Sequence, residues 1–164
     1  MTRPRLVVIG VGNEFRRDDG IGPLSAARID SLRLPDTLVT VCDGEPTALL
    51  DAWDDADLAI VIDAVLCEPS APGRIWHTTV DALRGLTTAT SSHALGIPDA
   101  LPLARALDRV PRELVVLAVE AADLGLGTGL SAPVAAALPR LVETVRAEHA
   151  RLRTPLGHGA SGDE

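Results

Sequence analysis

The sequence contains no lysine and no tyrosine, one methionine, one phenylalanine, two cysteines and two tryptophans. All 15 basic residues are arginine, which reads as a base-composition bias and not as function. Phe15, Trp53 and Trp76 are the only aromatic residues among 164. Leu, Val, Ile and Ala must therefore fill the interior, and the three rings belong at special positions rather than in bulk packing. Cys42 and Cys67 stand in no metal or redox spacing and read as packing residues in a reducing compartment. No apolar run approaches transmembrane length, and Met-Thr-Arg-Pro-Arg leads into a strand without a signal-peptide core. A cytoplasmic protein is expected. The 23 acidic residues leave a net charge of -8, which argues against nucleic-acid and anionic-membrane partners.

What is present is concentrated in residues 6–22, Leu-Val-Val-Ile-Gly-Val-Gly-Asn-Glu-Phe-Arg-Arg-Asp-Asp-Gly-Ile-Gly. Apolar residues bounded by glycines predict a buried strand, and Gly-Val-Gly-Asn a tight turn opening into a helix near Asp18. Gly10 and Gly12 match the first two glycines of a dinucleotide-binding fingerprint, but Phe15 occupies the third position. Phe cannot give the close helix–strand packing which that glycine provides. Asp18 and Asp19 would moreover repel a pyrophosphate. The glycines are then backbone punctuation, and the two carboxylates are either helix N-terminal residues or chemistry.

Further along, strands are predicted at Leu6–Ile9, Thr37–Cys42, Leu58–Ile62 and Leu114–Val119, with a short edge strand at Arg74–Thr78. Helices are predicted from Asp18 to Leu32, around Leu49, Leu50 and Trp53, from Pro98 to Leu107, and after Ser131 as N-cap with a kink at Pro139. With 46% apolar residues the chain can bury one good core. Strands alternating with helices make this an α/β protein, a three-layer α/β/α single domain with a mostly parallel twisted sheet over residues 1–153, followed by a disordered tail at 154–164.

Ligands bind outside the carboxyl ends of such strands. There the sequence places Gly10 to Asn13, Asp43, Asp63 and Glu120, joined by Asp19 from the first helix. One strand-end aspartate is a turn former, whereas several on one rim point to function. His77, His149 and His158 fall in an edge strand, on a charged helix stretch and in the tail. His93 follows a loop of small residues and is the candidate to reach the rim. One histidine with two carboxylates suits nickel, zinc, manganese or iron with water in the remaining positions.

Taken together, Gly10-Val-Gly-Asn13, Asp18-Asp19-Gly-Ile-Gly22, Val61-Ile-Asp63-Ala64, Ser91-Ser-His93-Ala-Leu-Gly96 and Gly127-Thr-Gly-Leu-Ser131 resemble the hydrogenase maturation proteases of peptidase family M52. The resemblance spans about residues 6–148. It implies a phosphorylase/hydrolase-like fold and removal of a short C-terminal extension from the large-subunit precursor of a nickel-iron hydrogenase after nickel insertion. It places Asp19, Asp63 and His93 at metal-contacting, catalytic positions, and it assigns the nickel to the substrate, other divalent metals being able to substitute. Asn13, Asp43, Arg16 and Arg17 are then substrate-binding candidates in a monomer. Three features depart from the family pattern. Glu45-Pro46 stands where Gly-Thr is usual, Ala121 where Pro is frequent, and Arg16 and Arg17 where uncharged residues are frequent. The two arginines are expected to meet an acidic stretch of the extension or simply to be solvated.

No His-Glu-x-x-His helix or Gly-x-Ser-x-Gly elbow is present, and neither cysteine lies in a nucleophile motif. Metal-assisted hydrolysis remains, with either carboxylate available as general base. The alternatives are a non-catalytic nickel-binding checkpoint module for hydrogenase assembly and a metal-dependent hydrolase of small substrates.

Overall fold

In the computed structural model, which describes residues 5–79 and 96–154, the apolar runs pair into one five-stranded sheet. β1 (Leu6–Val11) and β3 (Leu58–Val65) are buried along their whole length, as central strands covered on both faces must be. β2 (Thr37–Cys42) lies outside β1, β5 (Glu113–Glu120) beside β3, and β4 (Ile75–Thr78) at the far edge, giving the order β2-β1-β3-β5-β4. All pairings are parallel except β4 with β5. The helices are α1 (Ile21–Ser31), α2 (Pro46–Trp53), α3 (Gly96–Ala106) and α4 (Ala132–Arg153).

Alternation along the strands divides the interior in two. Odd-numbered residues of β1 and β3, such as Ile9 and Val61, pack against Leu49 and Trp53 of α2 and Ile97 of α3. Even-numbered ones, such as Val8 and Ile60, pack against Ile29 of α1 and Leu141 of α4. The three-layer α/β/α architecture and its mostly parallel sheet are as the sequence predicts. Of the three rings only Phe15 stays out of the packing, whereas Trp53, contrary to expectation, is a fully buried member of the core and Trp76 packs against it. Buried Trp53 donates its indole N–H to the Arg109 carbonyl at 2.9 Å, Trp76 donates to a Glu120 carboxylate oxygen at 2.9 Å, and Phe15 stands in solvent.

Several boundaries differ from expectation. β3 continues past Ile62 because its ladder with β5 runs on through Asp63↔Ala118 to Val65↔Glu120, so Asp63 lies inside a strand. The expected helix start at Asp18 is a 3-10 turn, Arg17–Gly20, opened by Arg17 at φ 47°, and α1 proper begins at Ile21. α3 begins at Gly96, before Pro98, whose missing N–H falls in the first turn where no helical acceptor exists. α4 runs on through Pro139.

A backbone contact sets the approach of α1 to the sheet. A Cβ on Gly22 would sit 2.1 Å from the Val11 carbonyl oxygen and 2.8 Å from that of Ile62, and one on Gly10 would sit 2.3 Å from the Gly22 oxygen. The close packing absent at Phe15 is supplied by Gly22 instead. The first turn of α1 is thereby seated directly over the carboxyl ends of β1 and β3.

Candidate active site

From β1 the chain passes through α1 to β2 on one side, and after β2 it returns through α2 to β3 on the other. This reversal opens a crevice between the carboxyl ends of β1 and β3, the place where doubly wound sheets bind ligands. Asp63 enters it from β3, on the face shared with α2 and α3 by the odd-residue alternation. Asp19 enters from the 3-10 turn after β1. Gly12, at φ 140°, makes room for it, since a Cβ there would meet the Asp19 carbonyl oxygen at 2.0 Å.

Both carboxyl groups are buried, Asp19 3% and Asp63 1% exposed. Asp19 Oδ2 accepts the Asn13 amide at 2.8 Å, while Asp19 Oδ1 and both Asp63 oxygens have no hydrogen-bond partner among the described residues. Burial first, and then the charge of Asp19, push Asp63 well above the ordinary carboxylate range. The Ala64 amide offsets part of this without reaching hydrogen-bond geometry. Three unpaired buried carboxyl oxygens would cost several kcal/mol in a site meant to stay as it is, so this arrangement is suited to a cation or a shared proton. Hard oxygen donors of this kind fit a divalent metal. Cys42 stands near the pair; burial, Asp43 and Asp63 raise its thiol above the usual value, which keeps it neutral.

The other rim carboxylates do different work. Asp18 accepts hydrogen bonds from the amides of Ala122, Asp123 and Ser131 and from the Ser131 hydroxyl, at 2.7 to 3.0 Å. Burial pushes its pKa up, but the amides and the hydroxyl outweigh burial and leave it below the usual value. Asp18 therefore ties the glycine-rich segment after β5 to the turn that carries Asp19. Buried Glu120 is likewise committed, one oxygen to the Ala71 amide at 2.8 Å and the other to Trp76, so it anchors the β4 edge and not the crevice. Sequence reasoning missed both roles, because the partners lie 44 to 113 residues away.

Among the substrate-binding candidates, Asn13 is exposed and divides its groups, the amide going to Asp19 and the side-chain oxygen accepting Phe15 N–H at 2.9 Å. Asp43 is exposed and accepts the Glu45 amide, a local turn. Arg16 bridges Gly127 through the backbone, and exposed Arg17 faces Asp123 at 3.4 Å. His93 lies outside the described residues, as do His158 and residues 155–164 of the expected tail. Among the described residues no three His, Cys, Asp or Glu side chains come together as a metal-holding group, and no helix is long and apolar enough to cross a membrane. A groove of about 510 Å³ lies at the opposite end of the sheet, lined by Arg5, Asp57, Asp108 and Arg109 among others. Arg109 pairs there with Asp51 and Asp54 and Arg112 with Asp57, and none of its lining carboxylates is buried as Asp19 and Asp63 are.

The hydrogenase maturation protease family model (HycI) matches residues 29–148. The Hydrogenase 2 maturation protease of Escherichia coli K12 is 28% identical over 87% of this chain and 89% of its own. The hydrogenase maturating endopeptidase HybD from E. coli superposes with a TM-score of 0.75 at 30% identity, covering 90% of this chain and 93% of that one. The [NiFe] hydrogenase maturation protease HybD from Thermococcus kodakarensis gives a TM-score of 0.70 at 27% identity, covering 88% and 99%. This chain belongs to the hydrogenase maturation protease family.

Proposed function

We propose that this protein is an endopeptidase that, as a monomer, removes a short C-terminal extension from the large-subunit precursor of a nickel-iron hydrogenase once nickel has been inserted. The observation that carries the reading is the buried pair Asp19 and Asp63 at the carboxyl ends of β1 and β3, three of whose oxygens have no hydrogen-bond partner among the described residues. Family membership supports the reaction class, and the Thermococcus relative is a [NiFe] hydrogenase maturation protease.

Nickel belongs to the substrate in this reading. Asp19 and Asp63 supply oxygen donors toward it and His93 a nitrogen donor, a set that other divalent metals also fit. When bound there, the metal supplies polarisation of a peptide carbonyl and acidification of a water. The chain's own residues do the rest. Asn13 N–H fixes the Asp19 carboxylate by holding Oδ2, which leaves Oδ1 to face the crevice. Burial and the charge of Asp19 raise the pKa of Asp63, and an arriving positive charge favours its ionised form. Either carboxylate then accepts the proton that the attacking water releases. Cleavage conditional on nickel is what this reading expects, because without the ion nothing offsets the charge of two buried carboxylates.

The test is the intact mass of the co-expressed precursor in nickel-replete and nickel-starved cells, with the wild type and with Asp19→Ala, Asp63→Asn and His93→Ala variants. Loss of a C-terminal peptide only with nickel and only with the wild type is the expected result. An unchanged mass in a nickel-loaded complex overturns the protease reading in favour of a docking module. Shortening in starved cells overturns the nickel requirement.

A further inference from the structure

Among the described residues, Phe15 and Leu126 are the most exposed of the large apolar ones, at 69% and 85%. They belong to two separate loops, yet the backbone holds them together. Gly127 N–H donates to the Phe15 carbonyl at 2.9 Å, Arg17 N–H donates to the Gly127 carbonyl at 3.0 Å, and Arg16 and Gly127 form a parallel bridge. Phe15 and Leu126, which immediately precede the bridged residues, are thereby carried on two adjoining loops, and both stay exposed as an apolar patch.

The patch is rigidly presented. Asp18 clamps both ends of the Leu126 loop, at Ala122 and Asp123 on one side and Ser131 on the other. Asp18 N–H also donates to the Asp123 carbonyl at 3.0 Å. The Phe15 loop is tied to the catalytic turn in the same way, through Asn13 N–H on Asp19. Two apolar side chains fixed in water beside a pair of reactive carboxylates do nothing for the fold, since neither packs into a core.

We propose that Phe15 and Leu126 form a docking subsite for an apolar side chain of the protein substrate, which fixes the substrate's C-terminal segment over Asp19 and Asp63. The proposal rests on the protease reading above and names how that site recognises its partner. A second copy of this chain is a poor occupant. Two side chains offer a few hundred Å² at most, against roughly 800 Å² per partner in a stable interface, and copies of net charge -8 repel. A peptide segment already held in the crevice needs only one such anchor.

The experiment follows processing of the nickel-loaded precursor by intact mass, giving kcat and KM separately, for the wild type, a Phe15→Ser/Leu126→Ser double variant and a Phe15→Leu/Leu126→Met control. Expected is a KM raised about 10–100-fold in the serine variant, as for loss of an apolar anchor. Its kcat should stay within about twofold and its Tm unchanged, and the control should keep the wild-type KM. An unchanged KM in the serine variant, with the wild type cutting normally, overturns the subsite and leaves the protease reading standing. A wild type that binds the precursor without cutting it overturns the protease reading, and the subsite then stands only if the serine variant loses that binding. A wild type that neither binds nor cuts overturns both. A wild-type dimer that the serine variant dissolves in sedimentation gives the patch to a second copy and overturns the proposal.

Discussion

Asp63 places both of its carboxyl oxygens in the interior with no donor to meet them, and this single side chain sets the pH behaviour of the site. Its pKa is raised in the fold, so the folded protein holds a proton that the unfolded chain releases. Stability from this group is therefore complete below the ordinary carboxylate value and is lost as pH rises through the higher folded value. Asp63→Asn has no proton to lose, so relative to the wild type it should gain stability as pH rises through the folded value, while its amide stays an ill-satisfied buried polar group. The measurement is Tm against pH by calorimetry, where the variant should show the flatter curve while its processing activity is abolished. Asp63 was legible in the sequence because a carboxylate ending a run of Leu, Ala, Ile and Val has no packing role. The sequence singles out Asp19 for the rim over its neighbour Asp18. The role of Asp18 was not legible, because it rests on a serine 113 positions beyond it that only the fold brings near.

Between single residues and the whole stand the turn at Arg17–Gly20 and the loop from Ala122 to Ser131, which Asp18 makes into one unit. Asp18→Ala should cost about 2–4 kcal/mol in urea unfolding, because several charge-assisted hydrogen bonds are lost and buried amides are left without acceptors. Since hydrogen bonding holds Asp18 below the usual carboxylate value, its contribution is present above that usual value and disappears as pH falls through the lower folded one. Asp18→Asn should accordingly shift the acid limb of the unfolding curve toward higher pH relative to other surface carboxylate variants. At the junction of β1 and α1, Gly22→Ala should cost about 1–3 kcal/mol or more by overpacking, read in the same urea experiment, because its Cβ meets the Val11 carbonyl oxygen and not a movable side chain. The strands themselves were readable from apolar runs. Their ends were not, since β3 ends where its ladder with β5 ends and not where its apolar letters stop.

For the molecule as a whole, a ligand that binds only the folded state raises stability by mass action. On the proposed reading, nickel supplied free stands in for the ion of the substrate, and at 100 times its Kd it should add about 2.7 kcal/mol to the wild type, roughly 5–10 °C in Tm for a chain of this size. Thermal shift with and without the ion should show this gain growing with pH, as the carboxyls must lose protons to bind, and vanishing in Asp63→Asn. The layering was legible from the alternation of strands and helices, whereas the strand order β2-β1-β3-β5-β4 was not, because pairing partners carry no mark in an apolar run. Yet that order creates the crevice, and the contact of Gly10 and Gly22 with neighbouring carbonyls fixes its depth. A spacing set by peptide groups is indifferent to the repacking of either core. The gap keeps its width unless Gly10 or Gly22 gains a side chain or the 12–20 turn changes length, so those are the places where an engineer would retune it.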